Sequence, residues 1–201
     1  MSQARGSQFT LFSRILHWLM AIMVLAMVFI GVGMVASFND YHWLLSIHRP
    51  LGIAILVLVA IRLVNRLLNP APPLPAHMPG WQRFAAKASH VLLYALMFTL
   101  PIVGWAMLSA GHYPVVLWGS LILPPITPSS ALLYALLRNI HGVLGYLLFA
   151  VFLAHLGAAL YHGLIRRDGV FGSMASWEQG SVQFARTNPA SMQNLTQTPE
   201  P

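Results

Sequence analysis

Four long apolar stretches, at roughly 12–36, 45–67, 86–109 and 132–165, constrain this chain more than any other feature. Each is long enough to cross a hydrocarbon core of about 30 Å as a helix rising about 1.5 Å per residue. The fold class this implies is all-α: a four-helix transmembrane bundle. Composition agrees, because 57% of the residues are hydrophobic and only 7% are charged, against about 25% charged in soluble domains. The fourth stretch exceeds a plain span and is expected to tilt or to project at one end. The first resembles a signal peptide, with Arg5 and Arg14 before an apolar run, but it is too long for such a segment and is read as retained.

Charge orients the bundle. Of the 11 lysines and arginines, Arg5, Arg14, Arg62, Arg66, Arg83, Lys87, Arg166, Arg167 and Arg186 fall on one side and only Arg49 and Arg138 on the other. Positive-inside logic therefore puts both termini and the 68–85 connection in the cytoplasm. The net charge of +7 suits anionic lipid head groups, and the basic residues gather in no stripe or run, so nucleic acid is not an expected partner. The chain has no cysteine, which excludes disulfides, cysteine-ligated iron–sulfur clusters and covalent haem attachment.

The connections carry further signals. Asn69 to Gly80 is proline-rich and reads as a stiff spacer, with Trp81 to Lys87 as an interfacial lead-in to the third helix. The 110–131 connection is apolar but interrupted by Pro114, Pro124, Pro125 and Pro128, so it is expected to form a surface cap rather than a fifth span. Residues 1–175 form one expected domain, and the polar segment 176–201 reads as a disordered cytoplasmic tail.

Two histidines in the fourth stretch, His141 and His155, are 14 positions apart. At 100° per residue they fall within about 40° of each other on the helix face, separated by roughly 21 Å along the axis. One imidazole then lies near each membrane surface. Depth sorts the others: His17 and His90 belong near the cytoplasmic surface, His48 near the outer one, and His162 two turns beyond His155. His42, His77 and His112 fall in connections. Ionisable groups inside a span are costly and usually functional, and imidazole is a common axial ligand of haem iron. Two haems, one near each surface and held non-covalently as b-type, are the first expectation.

A six-coordinate haem needs two imidazoles at one depth. On the outer side only His48 and His141 qualify, whereas on the inner side His155 can meet either His17 or His90. Buried, hydrogen-bonded histidines or a proton relay are the bland alternative. Other metals are disfavoured because the four carboxylates, Asp40, Asp168, Glu178 and Glu200, all lie outside the spans. Arg49 beside His48 and Arg138 one turn before His141 are candidate partners for the propionates of the outer haem, and Arg14 for the inner one. Gly52, Gly142 and Gly145 stand near the ligands, either to admit a flat macrocycle or for ordinary helix packing.

The ordered set Arg14-Ile-Leu-His17-Trp18, Ile47-His48-Arg-Pro-Leu-Gly52-Ile, Ala88-Ser-His90-Val-Leu-Leu-Tyr94 followed by Pro101-x-x-Gly104, and His141-Gly-x-Leu-Gly145-Tyr with His155 and His162 resembles the bacterial cytochrome b561 family. The resemblance covers roughly residues 10–173. It implies a multi-pass protein of the bacterial inner (cytoplasmic) membrane. It also implies His17 and His155 as ligands of the inner haem and His48 and His141 as ligands of the outer one. By the same resemblance His90 and His162 lie by the inner haem and a quinone rather than on iron.

The activity expected is electron transfer between a periplasmic donor and membrane ubiquinone. The quinone would lie near His90, His162 and Lys87, where a histidine can supply a proton. The resemblance makes superoxide a candidate donor, which Arg49 and Arg138 would attract. The alternative is an electron conduit and anchor for a separate periplasmic redox protein. A small transporter would need an intramembrane carboxylate or a broken helix, and neither is evident.

Overall fold

The computed structural model describes residues 8–75, 78–117, 119 and 121–175. Arg5, His77, Trp118, Arg186 and the 176–201 tail lie outside the described residues. Four long helices dominate: α1 (Leu11–Ala36), α2 (Tyr41–Leu68), α3 (Gly80–Ala110) and α4 (Ala131–Leu160). All four are long and apolar enough to cross a membrane, the last continuing to Arg166. The span positions expected from hydropathy are therefore met.

Local chemistry sets the helix ends. The Thr10 hydroxyl accepts from the Ser13 amide at 3.2 Å and that of Ser130 from the Leu133 amide at 3.3 Å, each satisfying a first-turn donor. The Ser37 hydroxyl donates to Asp40 at 2.7 Å across the short α1–α2 turn. Helix α3 begins at Gly80, earlier than hydropathy suggests, so Trp81 to Lys87 is its first part and not a separate lead-in. Pro79 explains the start: its carbonyl accepts from the Gln82 and Arg83 amides. Pro50 and Pro101 lie inside α2 and α3 without ending them, as membrane helices tolerate.

α4 changes pitch at its end. Tyr161–Arg166 is a π-helical turn, closed by Arg167, whose amide donates to the His162 carbonyl at 2.8 Å and whose φ of 50° is left-handed. A short helix, α5 (Gly172–Ala175), follows and returns to α1, where the Trp18 indole donates to the Met174 carbonyl at 3.2 Å. The start of α1 and the end of α4 therefore share one end of the bundle, called here the terminal end.

The opposite, cap end carries a small antiparallel ribbon, β1 (Val115–Val116) with β2 (Ile122–Leu123). The prolines exclude a fifth span, as expected. The cap is fastened to α3: the Trp105 indole donates to the Pro124 carbonyl, the Thr127 hydroxyl to the Ala106 carbonyl, and the Ile126 amide to the Ser109 hydroxyl. Gly111 is required here, since a Cβ would stand 2.7 Å from both Tyr113 and Tyr134.

Helices adjacent in sequence pack together, α1 with α2 and α3 with α4, while α1 and α4 touch only sparsely. The core is a mid-depth layer of Val24, Ile55, Leu96, Leu100 and Leu148, with each of the four long helices contributing. Exposed Ile22, Phe29, Val57 and Val143 cover the outside, as lipid requires.

Candidate functional site

Above and below this apolar layer lie two tiers of histidines. At the cap end, His48 of α2 faces His141 of α4 with ring centres 6.0 Å apart. At the terminal end, His17 of α1 faces His155 of α4 at 6.4 Å. The periodicity of α4 is the cause: one face carries His141, Leu148 and His155, so the core residue sits midway between two imidazoles. His90 of α3 also reaches His155, at 5.2 Å. The terminal-end ambiguity of the sequence is therefore physical, because both candidates touch His155.

Two imidazoles bonded to one metal from opposite sides, each nitrogen about 2 Å from it, have ring centres roughly 6 Å apart. The separations of His48–His141 and His17–His155 meet this requirement, and that of His90–His155 is too short by nearly 1 Å. Among the described residues no group of three or more His, Cys, Asp or Glu could hold a metal ion. The donor set is thus paired neutral imidazoles, which suits a metal whose other ligands come from a macrocycle and does not suit a zinc or copper centre.

The cap-end pair is closely supported. Gly104 of α3 lies against the His141 ring, and a Cβ there would stand 3.2 Å from its Cε1. His48 Nδ1 and His141 Nδ1 are buried without a hydrogen-bond partner among the described residues. Gly142 and Gly145 have nothing within 4 Å of a built Cβ, and Gly52 meets only the end of Met27 at 3.7 Å. Close helix packing therefore does not account for them; the close approach belongs to Gly104. Arg49 is half-buried and extends one guanidinium nitrogen towards the Pro114 carbonyl of the cap, 3.5 Å away. Arg138 is exposed.

The terminal-end tier holds a polar network that sequence reasoning missed. Arg62 of α2 donates to the Ser13 carbonyl at 3.2 Å and lies 3.1 Å from His17 Nδ1, with the Tyr94 phenol nearby. A guanidinium only donates, so His17 Nδ1 accepts and a neutral ring carries its hydrogen on Nε2. Metal ligation through Nε2 requires Arg62 to turn to Ser13, Tyr94 or an anionic group. Arg14 is almost wholly buried, at 1% exposure, one turn before His17. Below it, buried Asn65 donates to the Ser13 hydroxyl at 2.7 Å, and Arg66 lies over the Phe9 ring. The available signal for Arg62 is its position on the same α2 face as Ile55 and Val59, although in sequence its charge reads as topology.

The expected quinone-side residues are dispersed. His90 reaches His155, Lys87 is exposed one turn earlier on α3, and His162 engages Asp168 at 2.6 Å. Among the described residues no hydrogen bond or ring contact joins Lys87, His90 and His162. Burial opposes charge on Asp168, but hydrogen bonds from His162 and the Val170 amide outweigh it and hold the carboxyl below its usual range.

Comparison with known proteins gives a consistent picture. A family model described as prokaryotic cytochrome b561 matches residues 8–177. Cytochrome b561 homolog 2 of Escherichia coli K12 is 31% identical over 162 residues, covering 79% of this chain and 86% of that protein. Cytochrome b561 homolog 1 of the same organism is 31% identical over 160 residues, covering 76% and 88%. The probable superoxide oxidase CybB of Yersinia pestis is 30% identical over 166 residues, covering 82% and 94%.

Proposed function

The chain belongs to the prokaryotic cytochrome b561 family, membrane electron-transfer proteins with b-type haem, and on that premise we propose that it is a di-haem oxidoreductase passing electrons from a periplasmic donor to membrane ubiquinone. The observation that carries this reading is the pair of two-imidazole tiers, 6.0 and 6.4 Å between ring centres, separated by an apolar layer. His48 with His141, and His17 with His155, would each hold one haem. Bound b haem supplies reversible one-electron chemistry at its iron. Held by two histidines each, such haems would offer no open position to oxygen, which favours electron transfer over oxygenation. Val24, Ile55, Leu96, Leu100 and Leu148 keep water out of the space between the tiers.

The guanidiniums take the anionic groups. Arg49 and Arg138 serve the cap end, and Arg14 the terminal end, where Arg62 can join it on leaving His17. With the terminal end in the cytoplasm, the cap faces the periplasm, and Arg49 and Arg138 attract a small anion. Superoxide fits that role, in keeping with the name of the Yersinia relative: each molecule gives up one electron and leaves as oxygen. A ubiquinone takes two electrons and two protons, and His90, His162 and Lys87 are the groups at the terminal end able to hold or deliver them.

Substitution separates the tiers. His141→Ala is expected to lose the cap-end haem while retaining much of the other, and His17→Ala to do the reverse, both read by difference spectra and haem per chain. Loss of the terminal-end haem in His90→Ala with retention in His17→Ala would overturn the inner pairing.

A further inference from the structure

His162 lies in the π-helical turn, where the backbone widens and the next residues double back. Arg167 at φ 50° and Gly169 at φ 82° reverse the chain, which returns Asp168 to the ring six positions earlier. Such π turns occur often at functional sites. Phe171 closes over the turn against Gly163, where a Cβ would stand 3.0 Å from the phenyl ring. The Val170 amide donates to Asp168 Oδ1 at 3.3 Å and fixes the carboxylate, leaving Oδ2 on His162 Nδ1 at 2.6 Å. The Asp168 side chain is only 4% exposed and that of His162 12%.

This arrangement dictates a tautomer. Asp168 is held in its charged form, and an ionised carboxylate can only accept. His162 must therefore carry a hydrogen on Nδ1, which leaves Nε2 as its proton-exchanging nitrogen. Among the described residues Asp168 is the sole hydrogen-bond partner of the His162 ring. Tyr161 contributes an edge contact at 5.6 Å. The other charged or titratable groups of this end are Arg166 and Arg167 on the same segment, Arg14 and His17 on α1, Arg62 and Arg66 on α2, Arg83, Lys87, His90 and Tyr94 on α3, and His155 on α4.

We propose that Asp168 is a positioning residue, fixing His162 with Nδ1–H on the carboxylate so that Nε2 exchanges a proton with the oxygen of a bound quinone. The inference rests on the quinone reading above. In quinone reduction the protonated His162 ring gives its Nε2 proton to one quinone oxygen as the quinone takes up two electrons originating at the donor, and returns to the neutral Nδ1–H form; water at the terminal end supplies the second proton and restores the one on Nε2. Asp168 keeps its charge throughout.

The test uses pre-reduced, haem-loaded protein mixed with ubiquinone-1, with haem absorbance following reoxidation. Asp168→Asn preserves the acceptor for the Val170 amide but no longer dictates the tautomer. Its maximal rate is expected to fall about 10- to 100-fold, with the half-saturating ubiquinone-1 concentration within about twofold of the parent protein. His162→Gln should match that loss and Asp168→Glu should recover most of it. A second readout needs no folded Asp168 variant: nitrogen NMR of histidine-labelled parent protein should show His162 with hydrogen on Nδ1. A neutral His162 ring with its hydrogen on Nε2, or an Asp168→Asn protein reoxidised at the parent rate, overturns the positioning role and leaves the quinone reading standing. Parent protein that ubiquinone-1 does not reoxidise overturns both.

Discussion

Gly104 should be the position where adding a single carbon is felt selectively at one tier. A Cβ at this site would stand 3.2 Å from His141 Cε1 and 3.5 Å from its Nδ1, whereas relaxed carbon contacts lie at about 3.5–4.0 Å. Gly104→Ala must therefore push the imidazole by a few tenths of an ångström. That is the low end of overpacking, about 1 kcal/mol, or roughly a fivefold weaker hold on a cap-end haem. Gly104→Val adds two more carbons beside the same ring and should cost about 3 kcal/mol, more than a hundredfold in affinity. The assay is competition for haem by excess apomyoglobin, followed by difference spectra that resolve the two tiers. The loss should be graded from Ala to Val and confined to the component that His141→Ala removes. A Gly104→Val protein that keeps both components, or loses the terminal-end one first, would show that the contact with His141 does not govern the cap-end haem.

Other consequences follow from the terminal end. Asn65→Leu removes the buried donor to the Ser13 hydroxyl and should destabilise the protein by about 1–3 kcal/mol; thermal unfolding in detergent should show a lowered midpoint, with the cap-end spectrum unchanged. The Asp168 carboxyl is held below its usual range despite its burial, so the stability it contributes is complete above the unfolded value of about 3.9 and disappears as pH falls through the lower folded value. Hydrogen exchange in 168–175, corrected for intrinsic rates, should stay constant from pH 7 to about 5 and rise only below about 4. A rise already present at pH 6 would assign that protection to another group.

The four spans were legible because lipid demands long apolar runs and nothing else in the chain competes with them. The His48–His141 meeting was legible too, since depth alone left no other partner on that side. His17 and His90 were not separable from spacing, and the structure explains why: both rings lie against His155. Arg62 was hidden by its charge, which reads as topology in sequence and as a contact with His17 in three dimensions. The π-helical turn left no periodic signature, because one widened turn at the end of an apolar helix barely alters the pattern. Asp168 lies outside the spans and reads as a loop carboxylate until the chain reversal at Arg167 and Gly169 returns it to His162. The cap was legible as a non-span from its prolines, but two-residue strands are too short to announce themselves. Gly104 appeared only as part of a motif, and its purpose depends on the ring of another helix.

Each of the two histidine tiers should hold one haem. Purified protein, expressed with ample haem, should be analysed for haem per polypeptide together with its reduced-minus-oxidised visible spectrum. About two low-spin b haems per chain are expected, one for each pair of imidazoles. A single haem would contradict one tier, and a colourless protein would contradict both and leave the histidines without a redox role.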